Sequence, residues 1–254
     1  MLIFERQQKI IEILRQRKSA QLDDLARELG VSASTVRRDL EQLERTGQVQ
    51  RTHGGAVYRN DGHQTFETHS DALAARLNEQ VDAKLAIGRY AASLVEPHMT
   101  LLLDGGSTVI YTVRQITVRP IQVVTNSLAI ANHFADDDQV ELTIIGGQLY
   151  PRTGVLVGPL ATASLAELHA DLCFFSLAAI HHDGAYNLNL EMAKVEQMMI
   201  QQAARSVMLM DATKFGRKSL ARVCSFDEVD LIVTDTSIDS TWRESLGERL
   251  IVAE

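Results

Sequence analysis

Cysteine is nearly absent from this chain. Cys173 and Cys224 are the two in 254 residues, both beside apolar or aromatic neighbours. They are expected to be buried and reduced rather than bridged. No group of Cys and His has zinc-ligand spacing, so no metal site is expected, and no cofactor either. A run of about 18 apolar residues is missing, which argues against a membrane-spanning helix. The N-terminus lacks the charged start, long apolar stretch and small-residue cleavage site of a secretion signal, so a cytoplasmic location is expected. Internal repeats and low-complexity tracts are missing as well.

What is present is ample apolar content, 45%, and an uneven charge. The net charge of −8 argues at first against a DNA partner. The split by region reverses that. Residues 1–60 carry 11 Lys or Arg against 8 Asp or Glu, and residues 61–254 carry 14 against 25. A basic head on an acidic body suits DNA contact at one end only.

The head is patterned. Residues 4–17 place Ile10, Ile11, Ile13 and Leu14 at helical spacing. Leu22, Leu25, Ala26 and Leu29 form a second helix, ended by Gly30, which accepts a left-handed turn. Val31 is an apolar plug. Ser32 is the expected N-cap of a third helix, with Val36, Leu40 and Leu43 as its buried stripe and Gly47 as its stop. Residues 48–58 alternate and contain Gly54-Gly55, as a two-stranded wing does. Helix, turn, helix and wing together form a winged helix-turn-helix, which lays its last helix in the DNA major groove.

Ser34, Thr35, Arg37 and Arg38 open that third helix. Hydroxyls and guanidinium groups reach base edges and phosphates. Arg37 and Arg38 point about 100° apart on a helix, so one is expected on a guanine edge and the other on a phosphate. Ser32, Ser34 and Thr35 are expected near backbone or bases at the helix start. Arg51 and His53, on the wing, are expected to touch phosphate or the neighbouring minor groove. A blander alternative has Arg37 and Arg38 pairing only with Asp39, Glu41 or Glu44.

Residues 59–80 are polar without clear period and read as a linker, with a short helix near 71–78. From about residue 82, short apolar strands alternate with helices, through segments such as MTLLLD, IQVVTN, VELTIIGG, LCFFSLAAI and SVMLMD. That alternation predicts a mostly parallel α/β sheet covered on both faces, with ligands outside the carboxyl ends of the strands. Four loops fall there: Asp104-Gly105-Gly106-Ser107-Thr108, Thr125-Asn126-Ser127, Gly146-Gly147, and Asp211 with Lys214. Glycines admit an anion to the backbone, hydroxyls donate to it, and a lysine meets phosphate as a point charge. Arg152 is near enough to reach a phosphate, or is a surface arginine. His181, His182 and Asp183 contact ligand or simply turn a solvated loop at Asp183-Gly184.

The string LARELGVSASTVRRDLEQLERTGQVQRTHGGA resembles the DNA-binding signature of the DeoR family of bacterial repressors. The later part resembles that family's effector domain, itself similar in fold to ribose-5-phosphate isomerase. The resemblance implies a winged helix-turn-helix over 1–58, a linker over 59–80 and a sugar-phosphate effector-binding domain over 81–254. It implies a repressor of a carbohydrate-metabolism operon, relieved by a phosphorylated sugar, with an activator of the same architecture or an isomerase-like enzyme as alternatives. Implied partners are a double-stranded operator, a phosphorylated sugar and further copies of the chain, as dimer or tetramer, with no membrane. The matching effector positions are Asp104, Gly106, Ser107, Thr108, Thr125, Asn126, Gly146, Gly147, Asp211 and Lys214. Ser107, Thr108 and Lys214 would then hold phosphate, and Asp104 and Asn126 would orient sugar hydroxyls. Ser176 and Ala179 stand where relatives often have glycine, and Glu196 where lysine is common, which implies altered ligand contacts at that edge.

Overall fold

The computed structural model of the chain describes residues 3–17, 19–45, 49–52, 54–58 and 68–254. Contacts divide the chain into two compact units, Met1–Gln64 and Thr65–Glu254.

The first unit holds helices α1 (Ile3–Arg17), α2 (Leu22–Leu29) and α3 (Ala33–Arg45). Their apolar stripes converge: Ile10, Leu14, Leu25, Val36 and Leu40 are at most 1% exposed. Gly30 ends α2 at φ 65° and returns its N–H to the Arg27 carbonyl, and Val31 packs on the same core. Gly47 lies outside the described residues. The wing has one strand more than the sequence suggests. Strands β1 (Ser19–Gln21), β2 (Val49–Arg51) and β3 (Gly55–Tyr58) form an antiparallel sheet in the order β1-β3-β2. Three residues are too short to show an alternation, so β1 leaves no sequence signal. Gly55 is required where β3 crosses β1, since a Cβ there would run into the Ala20 carbonyl.

The second unit begins earlier than expected. Helix α4 (Thr68–Leu77) packs Leu73 and Leu77 on the core of this unit, and the Tyr111 hydroxyl donates to the Leu77 carbonyl at 2.9 Å. Residues 68–80 are therefore part of the second unit rather than linker, and 59–67 lie outside the described residues. Helices α5 (Val81–Ala92), α6 (Ser107–Val113), α7 (Leu128–Phe134), α8 (Pro159–Ala166), α9 (Leu190–Gln201) and α10 (Ser240–Leu246) follow. Between them run β4 (Thr100–Leu103), β5 (Ile121–Thr125), β6 (Val140–Ile144), β9 (Ala170–Phe175), β12 (Ala203–Leu209), β14 (Leu231–Asp235) and β15 (Leu250–Ala253).

These seven strands form one parallel sheet in the order β15-β14-β12-β9-β4-β5-β6. The chain starts at β4, adds β5 and β6 on one side, then crosses to β9 and continues the other way. The order thus reverses between β4 and β9, and a crevice opens at such a switch point. Phe174 and Phe175 on β9 are both fully buried, one in the core under α5, α6 and α7, the other in the core under α8, α9 and α10. Burying each contributes about 1.5–3 kcal/mol, which is why the central strand reads as an apolar run from Leu172 to Phe175.

Two accessory sheets are absent from the sequence reading. Strands β7 (Gln148–Tyr150) and β8 (Val155–Val157) form a hairpin, bridged to β5's end through Ser127 and Val155. The segment LCFFSLAAI is not one strand: β9 stops at Phe175, and β10 (Ala179–His181) leaves to pair with β11 (Gly184–Asn187), which pairs with β13 (Ala221–Cys224). Among the described residues, no helix is long and apolar enough to cross a membrane.

Candidate functional site

The start of α3 gathers hydroxyls. Ser32 precedes the helix and accepts the Thr35 N–H at 3.2 Å, while its Oγ lies 2.9 Å from that of Ser34 and 2.8 Å from Oγ1 of Thr35. Ser32, Ser34, Arg37 and Arg38 are exposed, whereas Val36 and Leu40 are buried. Asp39 faces inward instead: the buried Arg6 donates Nε–H to it at 2.5 Å, tying α1 to α3. The acid next to Arg38 is thus taken by another helix. Arg51 sits on β2, but its side chain, like the whole of His53, lies outside the described residues.

In the second unit a cavity of about 920 Å³ opens at the β4–β9 switch point. The loop after β4 contributes Asp104, Gly106, Ser107 and Thr108; the turn after β12 contributes Asp211 and Lys214. Ser176 and Ala179, after β9, line it too. Gly106 is required there, because a Cβ would press on that of Ser176. The Asp104 carboxylate accepts the Gly106 N–H at 3.1 Å, and Asp211 accepts those of Thr213 (3.1 Å) and its hydroxyl, which fixes the turn that presents Lys214.

Arg152, weighed above for phosphate, lines the cavity from the β7–β8 hairpin, and residues outside the expected set complete the wall: Arg76 from α4, Glu79, Lys84 from α5, Tyr150 and Thr153 from the hairpin, and Arg217 and Lys218. Six of the 14 cations of residues 61–254 line this one cavity, against three carboxylates, Glu79, Asp104 and Asp211. An arrangement of that sign favours an anion. At an effective dielectric near 20, a cation about 4 Å from an anion contributes on the order of 4 kcal/mol before desolvation. The run Lys214-Phe215-Gly216-Arg217-Lys218 in an acidic body was a readable sign of this; Arg76 and Lys84, on helices, carried none.

Burial shapes the titration of the wall. It pushes the Asp104 carboxyl up to about 6, although N–H groups of Gly105, Ser176 and Gly106 favour the anion. It lowers Lys84, whose Nζ donates to the Glu79 carbonyl at 2.6 Å and to that of Arg76. Arg76 is lowered as well by desolvation. Behind the wall, Glu196 is 1% exposed and accepts from the Asn187 amide; burial drives its pKa well up.

Four expected ligand residues do not reach the cavity. Thr125 is fully buried, with its hydroxyl donating to the Leu103 carbonyl at 2.6 Å and accepting the Ser127 N–H. Asn126 is 2% exposed and faces Leu156 of the hairpin. Gly146 lies beside Leu160, and Gly147, at φ 151°, lets the chain pass the Val157 carbonyl. The physical reason is strand order: β5 and β6 lie beyond β4, away from the switch point. Their loops instead seat the hairpin that carries Arg152 to the cavity. His181, His182 and Asp183 also lie outside it. Asp183 binds Lys218 at 2.6 Å, the Tyr186 hydroxyl at 2.8 Å and His181 at 2.8 Å, and His182 stacks on Trp242 with centroids 4.5 Å apart.

Comparison with known proteins agrees with both halves. The family model described as DeoR-like helix-turn-helix domain matches residues 6–61, and that described as DeoR C terminal sensor domain matches 79–236. The chain is 35% identical to the L-fucose operon activator of Escherichia coli (strain K12), over 91% of this chain and 94% of that protein. It is 30% identical to the HTH-type transcriptional repressor GlcR of Bacillus subtilis (strain 168), over 98% and 96%. A solved ribose 5-phosphate isomerase A of Methanocaldococcus jannaschii superposes with a TM-score of 0.38 and 17% identity, covering 54% of this chain and 55% of that one. So loose a superposition leaves the fold to rest on the strand order above. A winged DNA-reading unit joined to a sheet-edge cavity, matched from end to end by these relatives, identifies the chain as a member of the DeoR family of DNA-binding transcriptional regulators.

Proposed function

We propose that the chain represses a carbohydrate-metabolism operon and that a phosphorylated sugar, held in the β4–β9 cavity, releases it from its operator. The surplus of cations in that cavity carries the reading. Lys214, with Ser107 and Thr108, holds phosphate, and Asp104 accepts sugar hydroxyls. At the other unit, Arg37 or Arg38 reads a guanine edge while its neighbour holds phosphate; Ser32, Ser34, Thr35, Arg51 and His53 supply further contacts. Operators with two-fold symmetry need paired heads, so the working species is at least a dimer.

Activation is the second reading, favoured by the 35% identity to an operon activator. The same contacts serve both, and the operator's place relative to the promoter decides. Catalysis is no part of the proposal. Asp183 is engaged outside the cavity, Glu191 pairs with Lys194 at 2.8 Å, and Asp211 caps its own turn.

A thermal-shift screen of the full chain against phosphorylated sugars tests the reading. A ligand bound only by the folded state at 100 times its Kd stabilises by about 2.7 kcal/mol. The expected result is a raised melting temperature with at least one phosphorylated sugar, reduced in Lys214→Ala and absent with the unphosphorylated sugar. Equal shifts with and without the phosphate group would refute the assignment.

A further inference from the structure

We propose that the cavity takes two anionic groups, the second at a subsite built from Arg76, Arg152 and Thr153. The effector is then a sugar bearing an anion at each end, such as a sugar bisphosphate or a phosphorylated sugar acid. The inference rests on the phosphorylated-sugar reading and adds a second charge to it.

Charge is the first ground, and it bears on where the cations stand rather than on their number. Lys218 is taken by Asp183 outside the cavity, so five cations face three carboxylates. One phosphate group brings about 1.5–2 negative charges, and held by Lys214 it leaves Arg76 and Arg152 for a second anion.

Position is the second. Lys214 follows β12, whereas the hairpin bearing Arg152 and Thr153 is bridged to the end of β5. Those strands are three steps apart in the sheet, through β9 and β4. At about 4.8 Å per step, the two strands lie roughly 14 Å apart. Arg76 feels the charges of Asp104, Glu79 and Arg152, and Lys84 those of Asp211, Lys214, Glu79 and Arg76.

The third ground is unmet hydrogen bonding. Arg76 Nη2 and Thr153 Oγ1 are buried and make no hydrogen bond among the described residues. Thr153 is 8% exposed, and both residues line the cavity. Leaving such a group unsatisfied costs about 1–3 kcal/mol, and anion oxygens satisfy both at once. Lys84 provides the contrast, since two backbone carbonyls already hold its ammonium. Arg152 is exposed at the hairpin turn and closes the subsite from outside.

Calorimetric titration of the full chain with matched pairs tests this: fructose 6-phosphate with fructose 1,6-bisphosphate, and glucose 6-phosphate with 6-phosphogluconate. In at least one pair the second anion is expected to lower Kd about tenfold, the worth of one charged hydrogen bond. Which pair responds tells bisphosphate from sugar acid. In Arg152→Ala, and independently in Thr153→Val, the ratio of the two Kd values is expected to fall towards one. If the monophosphates bind and the second anion gains nothing in either pair, the second subsite is refuted. It is equally refuted if the gain persists in both variants. Absence of binding by all four sugars is a different result, which also removes the phosphorylated-sugar reading beneath it.

Discussion

Asp104 follows β4, is 2% exposed and has its pKa raised from 3.8 to about 6, chiefly by burial. A carboxyl raised on folding favours the folded state most when protonated. Its contribution is full below pH 4 and is lost as pH rises through about 6. The span is worth about 3 kcal/mol. Asp104→Asn does not titrate, so the stability of wild type relative to the variant, followed by denaturant unfolding of the free chain, should fall by about that much between pH 4 and 7. A pH-independent difference would remove Asp104 as the buried acid. On the DNA side, Arg38→Ala should weaken operator binding by about 1–3 kcal/mol if Arg38 is the base-reading arginine. Unchanged affinity in a gel shift would leave Arg37 in that role.

Among the elements, the α2–turn–α3 corner is the most constrained. Gly30 adopts φ 65° with open space around its α-carbon, so Gly30→Ala meets no clash, only backbone strain. The expected cost is about 1–2 kcal/mol in unfolding of the N-terminal unit, and an unchanged midpoint would contradict the left-handed turn. This corner was legible because its signals are local: a glycine stop, a serine cap and three apolar residues at helical spacing. The parallel strands were legible as apolar runs for the same reason. Strand order is not local. That β9 joins β4 on the side away from β5 is set by packing over residues 100–175, and it decides which loops meet. Asp104, Ser107, Thr108, Asp211 and Lys214 fell at the switch point; Thr125, Asn126, Gly146 and Gly147 fell one or two strands outside it. The β7–β8 hairpin was hidden because three-residue strands around Pro151 and Gly154 show no period. Arg76 and Lys84 were missed because a basic residue on a helix looks the same in sequence whether it faces solvent or a ligand.

At the scale of the molecule, charge separates the two tasks. The N-terminal 60 residues are basic and the remainder acidic, yet the acidic part collects cations around its cavity. On the function proposed above, DNA and effector meet positive surfaces in different units, and regulation requires a coupling free energy between them, typically 1–3 kcal/mol, or 5–150-fold in affinity. Equilibrium binding of the full chain to a labelled duplex from its own upstream region, at fixed salt, reads that coupling directly. Saturation with a phosphorylated sugar that stabilises the wild type is predicted to shift operator affinity at least about fivefold, and to leave that of Lys214→Ala unmoved. Operator affinity that is the same with and without the bound sugar, or an equal shift in Lys214→Ala, would contradict the account.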